Sequence, residues 1–401
     1  MAQSWLAGLN PRLVEDRVWS IASALREGSL ELKFGDGDWR RIDAPKAGIH
    51  AALHLIKPSA VLRRYLSGGA VGFAESYIAG EWDTPNLAAL LELFDRNADM
   101  LGDGYGGSWF QRQMRRLHHW RRNNSKRGSK ENIYAHYDLG NEFFGAWLDP
   151  TMTYSAALFD REDEPLDQAQ QRKYRALAEA LNITPDSKVL EIGCGWGGFA
   201  EFAAKEFGAK LTCLTISQEQ HDFAAARMQK AGLNEKVEIR LQDYRDVGGV
   251  FDRIASIEMF EAVGERYWPV FFDRLRQSLA PAGQAGLQII TIADEHFANY
   301  RKSPDFIQRY IFPGGMLPSP QALQKQFSQA GLSQIRDLSF GEDYARTLAV
   351  WTQSFDAAWD RVRELGFDER FRRIWRYYLA YCEAGFRTQS IDVKQIVVRP
   401  A

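Results

Sequence analysis

From about residue 185 to 295, short apolar runs alternate with amphipathic stretches. "KVLEIGCG" is β-branched and apolar and ends in glycines, and "FAEFAAKEF" follows at helical spacing, closed by Gly208. The alternation continues through "KLTCLTIS", "QEQHDFAAARMQKAG", "VEIRLQDY" and "FDRIASI" to "GQAGLQIITI". Such a pattern predicts a parallel sheet with helices on both faces, an α/β fold of Rossmann-like type. The first hundred residues read instead as a smaller α+β unit. There "SLELKFGDGDWRRI" resembles a hairpin around Gly-Asp-Gly and "NLAALLELFDRN" an apolar helix. "LGDGYGGSW" is glycine-rich and polar, as a linker is. The last hundred residues are mixed and helix-rich. The expected organisation is an N-terminal domain over 1–105, a basic linker or amphipathic helix over 106–130, and the sheet domain over 131–401.

The linker changes the picture of partners. Residues 109–130, "WFQRQMRRLHHWRRNNSKRGSK", hold eight Lys or Arg and no acid, with Phe110, Met114 and Leu117 at helical spacing. Packed on its own domain, this is a solvated surface helix. Laid on anionic lipid, its basic residues contribute about 1 kcal/mol each, enough for reversible recruitment to a membrane surface. The whole chain carries a formal net charge of only -2, so no global field draws it to nucleic acid, and none is expected as a partner. Cys194, Cys213 and Cys382 form no CxxC pair, no metal site is expected, and a reducing compartment is the simple reading. The N-terminus lacks the pattern of a signal peptide, and no apolar run reaches the roughly 20 residues of a membrane-spanning helix. The expected location is cytoplasmic, with peripheral attachment to the inner membrane face.

The chemistry concentrates at the strand ends. "VLEIGCGWGGF" sets Gly193, Gly195, Gly197 and Gly198 between a strand and a helix, where backbone can approach a ligand closely. A nucleotide-hydrolysing loop would need Gly-Lys-Ser/Thr, which is absent. A dinucleotide site would want an acid closing the second strand, but that strand ends "LTIS". S-adenosylmethionine fits better, because Glu191 stands two residues before a GxGxG loop. Thr215 and Gln220 at the second strand end are suited to the ribose, and Gln242 and Asp243 at the third to the adenine edge. Simple helix capping is the alternative for such residues. A further strand runs into "SIEMFEAVGERYW", which carries Glu258 and Glu261 three residues apart. Paired acids ending an apolar run imply a positive charge nearby; for Glu258, pairing with Arg266 is the structural alternative.

Several long segments occur together and in order: "AHYDLGNEFFGAWLDPTMTYSAALF", "VLEIGCGWGGFAEFAA", "LTISQEQ", "DYRD", "FDRIASIEMFEAVG", "YIFPGGMLPS" and "YARTLAVW". From about residue 60 to the C-terminus the chain resembles the cyclopropane-fatty-acyl-phospholipid synthase family. The resemblance implies a class I methyltransferase sheet and S-adenosylmethionine as cofactor. It also implies an unsaturated fatty acyl chain as substrate, usually in a phospholipid. Tyr154, Ser155, Gly193, Gly195, Thr215, Ile216, Gln220, Gln242 and Asp243 would surround the cofactor. Glu261 and Tyr344 would stand at the reacting centre, with Glu258 as a second acid or alternative base and His136 and Tyr137 close by.

Three departures bear on the reaction. Cyclopropane-forming members resemble "YSC" where this chain has Tyr154-Ser155-Ala156, and "HTI" where it has Ile290-Thr291-Ile292. Many also have His where Ala262 follows Glu261. In the family the missing Cys and His help hold a bicarbonate ion that acts as base, so bicarbonate is in question here. The expected reaction is C-methylation of the double bond to a methyl-branched or methylene product, which a redox partner enzyme would carry on to branched or furan fatty acids. The alternatives are a cyclopropane synthase proper, an amine N-methyltransferase and an inactive lipid-binding homologue. A homodimer is plausible by resemblance alone.

Overall fold

The computed structural model describes residues 11–98, 139–302 and 305–401. The basic segment 109–130, His136 and Tyr137 lie outside the described residues. These residues group by contact into two compact units: 11–98 with 302, 305–311 and 366–388, and 139–301 with 312–365 and 389–401.

The first unit holds a four-stranded sheet of β1 (Glu27–Phe34), β2 (Arg40–Asp43), β3 (Lys46–Leu55) and β4 (Trp82–Asp83), in the order β2-β1-β3-β4. β1 and β2 pair antiparallel as the expected hairpin, with Leu30 opposite Ile42. The apolar helix Leu87–Arg96 starts where the Asn86 side chain accepts a hydrogen bond from the Ala89 N–H at 3.0 Å. The long helix Glu369–Arg387 joins this unit from far along the chain, with Trp375, Tyr377, Tyr378 and Leu379 buried. Among the described residues no helix is long and apolar enough to cross a membrane.

The second unit is built on seven strands: β5 (Lys188–Ile192), β6 (Lys210–Thr215), β7 (Val237–Leu241), β8 (Phe251–Ile257), β9 (Leu279–Ile292), β10 (Leu332–Ser339) and β11 (Ile391–Pro400). Their order is β10-β11-β9-β8-β5-β6-β7. The first five run parallel, as the alternation predicts, while β10 and β11 pair antiparallel at one edge. Helices cover both faces. Leu190, Ile254, Phe271, Phe272 and Leu287 form a core on one side, and Leu177, Val189, Phe199, Leu211 and Met228 a core on the other. Burial on two faces explains why these strands read as continuous apolar runs rather than alternating ones. The chain steps from β5 to β6 and β7 on one side, then resumes at β8 on the other. The crevice at the carboxyl ends of β5 and β8 is therefore where a ligand is expected.

Candidate active site

The strand ends named from the sequence lie along the carboxyl edge of this sheet. Beyond β5 the backbone enters the left-handed region three times, at Gly193 (φ 81°), Gly195 (φ 52°) and Gly197 (φ 81°). The N–H groups of Gly193 and Cys194 both donate to the Leu214 carbonyl, at 3.0 and 2.9 Å, which fixes the turn to β6. A Cβ at Gly193 would stand 2.5 Å from Met259 Cγ, whereas one at Gly195 would meet nothing within 4 Å. The first glycine allows close packing and the second faces open space.

Thr215, Ile216 and Gln220 lie together at the end of β6, where the Thr215 hydroxyl donates to Gln220 Oε1 at 3.0 Å. The Gln242 N–H donates to the Thr215 carbonyl at 2.9 Å, which brings the end of β7 alongside. The side chains there are engaged locally. Gln242 donates to the Asp246 carbonyl, and Asp243 caps a short turn and pairs with Arg245 at 2.6 Å.

On the opposite wall, Tyr154 packs its ring against Phe144 and Trp351, with centroids 5.2 Å away in each case. Ser155 Oγ accepts a hydrogen bond from Lys173 Nζ at 2.6 Å. The next residue, Ala156, has no exposure, and its N–H donates to Glu258 Oε1 at 2.8 Å.

Glu258 has left-handed backbone, φ 49°, unusual for a residue with a long side chain. Its Oε1 also accepts from Gln288 Nε2 at 2.7 Å, and its Oε2 from the Tyr344 hydroxyl at 2.7 Å. Arg266 takes no part, its guanidinium lying over the Tyr267 ring. Burial pushes the Glu258 carboxyl up, opposed by the charge of Lys173 and by these three donors. Glu261 follows in a short 3₁₀ turn, and its Oε1 accepts the Ile290 N–H at 2.6 Å. Glu261 Oε2 is buried with no hydrogen-bond partner among the described residues. Burial first, and the Glu258 charge second, push this carboxyl up to about 8.

The crevice thus brings together Tyr154, Ser155, Ala156, Glu258, Glu261, Ile290 and Tyr344. Three participants escaped the sequence reading: Lys173, Gln288 and Gln395. Lone glutamines inside the apolar runs "GLQIITI" and "KQIVV" are a signal for two of them, because an amide in a strand core needs a partner. Lys173 sits in the polar run "DQAQQRK", where nothing marks it.

S-adenosylmethionine carries two cationic groups, and the residues present fit it. Glu191 Oε2 and Glu261 Oε2 are both buried carboxylate oxygens without a hydrogen-bond partner among the described residues, and the glycine turn after β5 leaves space at Gly195. Burial also raises Glu191 to about 8. A phosphate ligand would instead meet these two acids unfavourably.

The chain is similar to known methyltransferases and cyclopropane synthases. A family model described as mycolic acid cyclopropane synthetase matches residues 124–396. Tuberculostearic acid methyltransferase UfaA1 of Mycobacterium tuberculosis is 39% identical over 385 residues, covering 91% of this chain and 86% of its own. Cyclopropane-fatty-acyl-phospholipid synthase of Escherichia coli is 33% identical over 388 residues, covering 92% and 95%. The crystal structure of mycolic acid cyclopropane synthase CmaA1 complexed with SAH and CTAB aligns with a TM-score of 0.63 at 31% identity, over 67% of this chain and 97% of that one. The chain belongs to the mycolic acid cyclopropane synthetase family and is an S-adenosylmethionine-dependent methyltransferase.

Proposed function

We propose that the protein methylates the double bond of an unsaturated fatty acyl chain in a phospholipid and releases a ring-free product, with Glu258 as the base. The names of its relatives support an acyl substrate and divide over the product, one a methyltransferase and the other a cyclopropane synthase. The observation that carries the choice is the Glu258 carboxylate, gripped by the Ala156 N–H, Gln288 and Tyr344. By resemblance, positions 156 and 344 belong to the bicarbonate site. Here a side chain of the protein reaches residues at both.

S-adenosylmethionine, which the glycine turn and Glu261 would hold, would supply a methyl group activated by positive sulfur. The π pair of the alkene forms the new carbon–carbon bond as the carbon–sulfur bond breaks, which leaves a carbocation on the acyl chain. A carboxylate about 4 Å from such a charge contributes roughly 4 kcal/mol at an effective dielectric near 20, close to a thousandfold in rate. Glu261 supplies that field from a site where water is excluded. Glu258 then takes a proton from the cation, and the carbon–hydrogen pair restores a double bond. Tyr344, donating to Glu258 Oε2, holds the carboxylate in place while it waits. Because the product is an alkene, any saturated branched or furan fatty acid would need a separate redox enzyme. Segment 109–130 would bring the protein to the lipid, and vesicle co-sedimentation tests that part of the proposal.

The decisive experiment supplies methyl-trideuterated S-adenosylmethionine and vesicles of a monounsaturated phospholipid. Three deuteriums retained in the released fatty acid, with olefinic protons in its NMR spectrum, are expected for a methyl-branched alkene. Two with a terminal methylene would move the site of proton loss but keep the product ring-free. High-field cyclopropane protons would overturn the proposal.

A further inference from the structure

Lys173 has no exposure at all, yet it stands behind residues that this site uses. Its ammonium donates to Ser155 Oγ at 2.6 Å and lies 4.4 Å from the centre of the Tyr174 ring. The surroundings form a closed ring of contacts. Ser155 continues into Ala156, whose N–H holds Glu258 Oε1. Gln288 Nε2 holds the same oxygen, and Gln288 Oε1 accepts from Gln395 Nε2 at 3.1 Å. Gln395 Nε2 also donates to the Lys173 carbonyl at 3.0 Å, which returns the ring to its start.

We propose that Lys173 is a positioning residue for methyl transfer, the buried counter-ion that keeps Glu258 ionised and fixes Ser155 as an outward hydrogen-bond donor. This rests on the reading of Glu258 as the base. A lysine ammonium has only hydrogens to give, so Ser155 accepts from it, and the serine hydroxyl proton is left to point elsewhere. The charges facing Lys173 are Glu258 at the end of β8, Glu191 on β5 and Asp149. Those facing Glu258 are Lys173, Tyr344 and Glu261, and Glu191 also feels Arg227. Burial pulls Lys173 down to about 7 while these carboxylates pull it back. Burying an unpaired ammonium costs several kcal/mol. The other positions on its helix that are equally hidden are Ala169, Leu177 and Ala178, which are apolar, and Gln170, whose amide donates to the Ser155 carbonyl at 2.9 Å; none of them carries a charge. An apolar side chain would serve packing alone, so the charge itself has a use.

The test is a cycle of wild type, Lys173→Met, Glu258→Gln and the double variant. Two quantities are measured for each: methyl transfer to monounsaturated phospholipid vesicles from pH 6 to 10, and Tm. Without its counter-ion Glu258 binds its proton more tightly. The acid limb of the K173M rate profile should therefore move to higher pH by about one unit or more, so that its rate loss against wild type is greatest at the acid end of the range and shrinks as pH rises. K173M should also lower Tm more when Glu258 is present than in the E258Q background, because only the former leaves a stranded carboxylate. If K173M alone fails to fold while the double variant folds, the pairing is equally shown. A uniform rate loss with an unmoved profile would overturn the proposal, as would equal Tm losses, or failure to fold, in both backgrounds. If wild type labels no lipid at any pH, the lipid reading fails instead, and the Tm cycle still reports on the Lys173–Glu258 pair.

Discussion

Glu258 and Glu261 are three residues apart in the chain, yet they meet different surroundings. Glu258 is held by three donors and a buried cation, while one oxygen of Glu261 has no partner among the described residues. With its carboxyl raised to about 8, Glu261 is protonated in the free protein at pH 7. A sulfonium brought beside it favours the charged form, so binding S-adenosylmethionine should expel up to one proton. Calorimetry at pH 7 in buffers of different ionisation enthalpy measures this. A smaller release is expected with S-adenosylhomocysteine, which lacks the sulfur charge, and a smaller release with E261Q than with wild type. The same raised pKa has a consequence for stability. The protonated folded form is favoured below the unfolded value of 4.5, and that contribution is lost as pH rises through about 8. E261Q should gain stability relative to wild type by up to about 1.4 kcal/mol for each pH unit in this window. Glu258 calls for a different test. Its left-handed backbone is a strained conformation kept where a function needs it. Glu258→Gly relieves that strain and removes the base, so the variant should fold but lose at least about a hundredfold in rate. Added formate should restore part of the activity, since a small carboxylate can enter the space vacated. Formate without effect on a folded variant would count against Glu258 as base.

The glycine turn shows how one element divides its work between folding and binding. Gly193 needs both positive φ and the space that Met259 fills, whereas Gly195 needs positive φ but faces an opening. Gly193→Ala should therefore cost about 1–3 kcal/mol of stability and cofactor affinity together. Gly195→Ala should cost less in Tm while still weakening S-adenosylmethionine, and thermal shifts with and without cofactor separate the two effects. This element was legible in the sequence because it lies between a strand and a helix that both announce themselves. The parallel strands were legible too, since burial on two faces makes their apolar runs continuous. β10 was not: "LSQIRDLS" is mostly exposed and shows no core periodicity, and it becomes a strand only by pairing with β11. The buried glutamine and lysine ring depends on contacts between residues as far apart as 173 and 395, and no local pattern encodes those. Glu261 could be picked out because it stands four residues beyond an apolar strand, beside Glu258; Lys173 could not, because its helix face differs from a solvated one only once packed.

For the whole molecule, the path of the chain matters as much as its sheet. The first compact unit is assembled from residues 11–98 and from segments near 305–311 and 366–388, so it cannot be removed by a single cut. The helix Glu369–Arg387 lies within that unit against Leu87–Arg96, and Trp375, Tyr377, Tyr378 and Leu379 are buried there. Arg373 donates to the Tyr77 and Trp82 carbonyls in the same unit. A fragment that begins at residue 106 keeps the helix but loses what covers it. Large apolar side chains on the face of that helix that packs against Leu87–Arg96 would then meet water, each at about 1.5–3 kcal/mol. That exceeds what a domain of ordinary stability can lose without consequence. The fragment should bind a hydrophobic dye strongly and aggregate at micromolar concentration, although the glycine turn and all seven strands of the methyltransferase sheet are present in it. Replacing Trp375, Tyr378 and Leu379 with polar residues in the fragment should restore solubility, since those positions then have nothing to bury. A soluble, dye-negative fragment with unaltered residues would mean that the helix finds a second place to pack, and that the two units are separable after all.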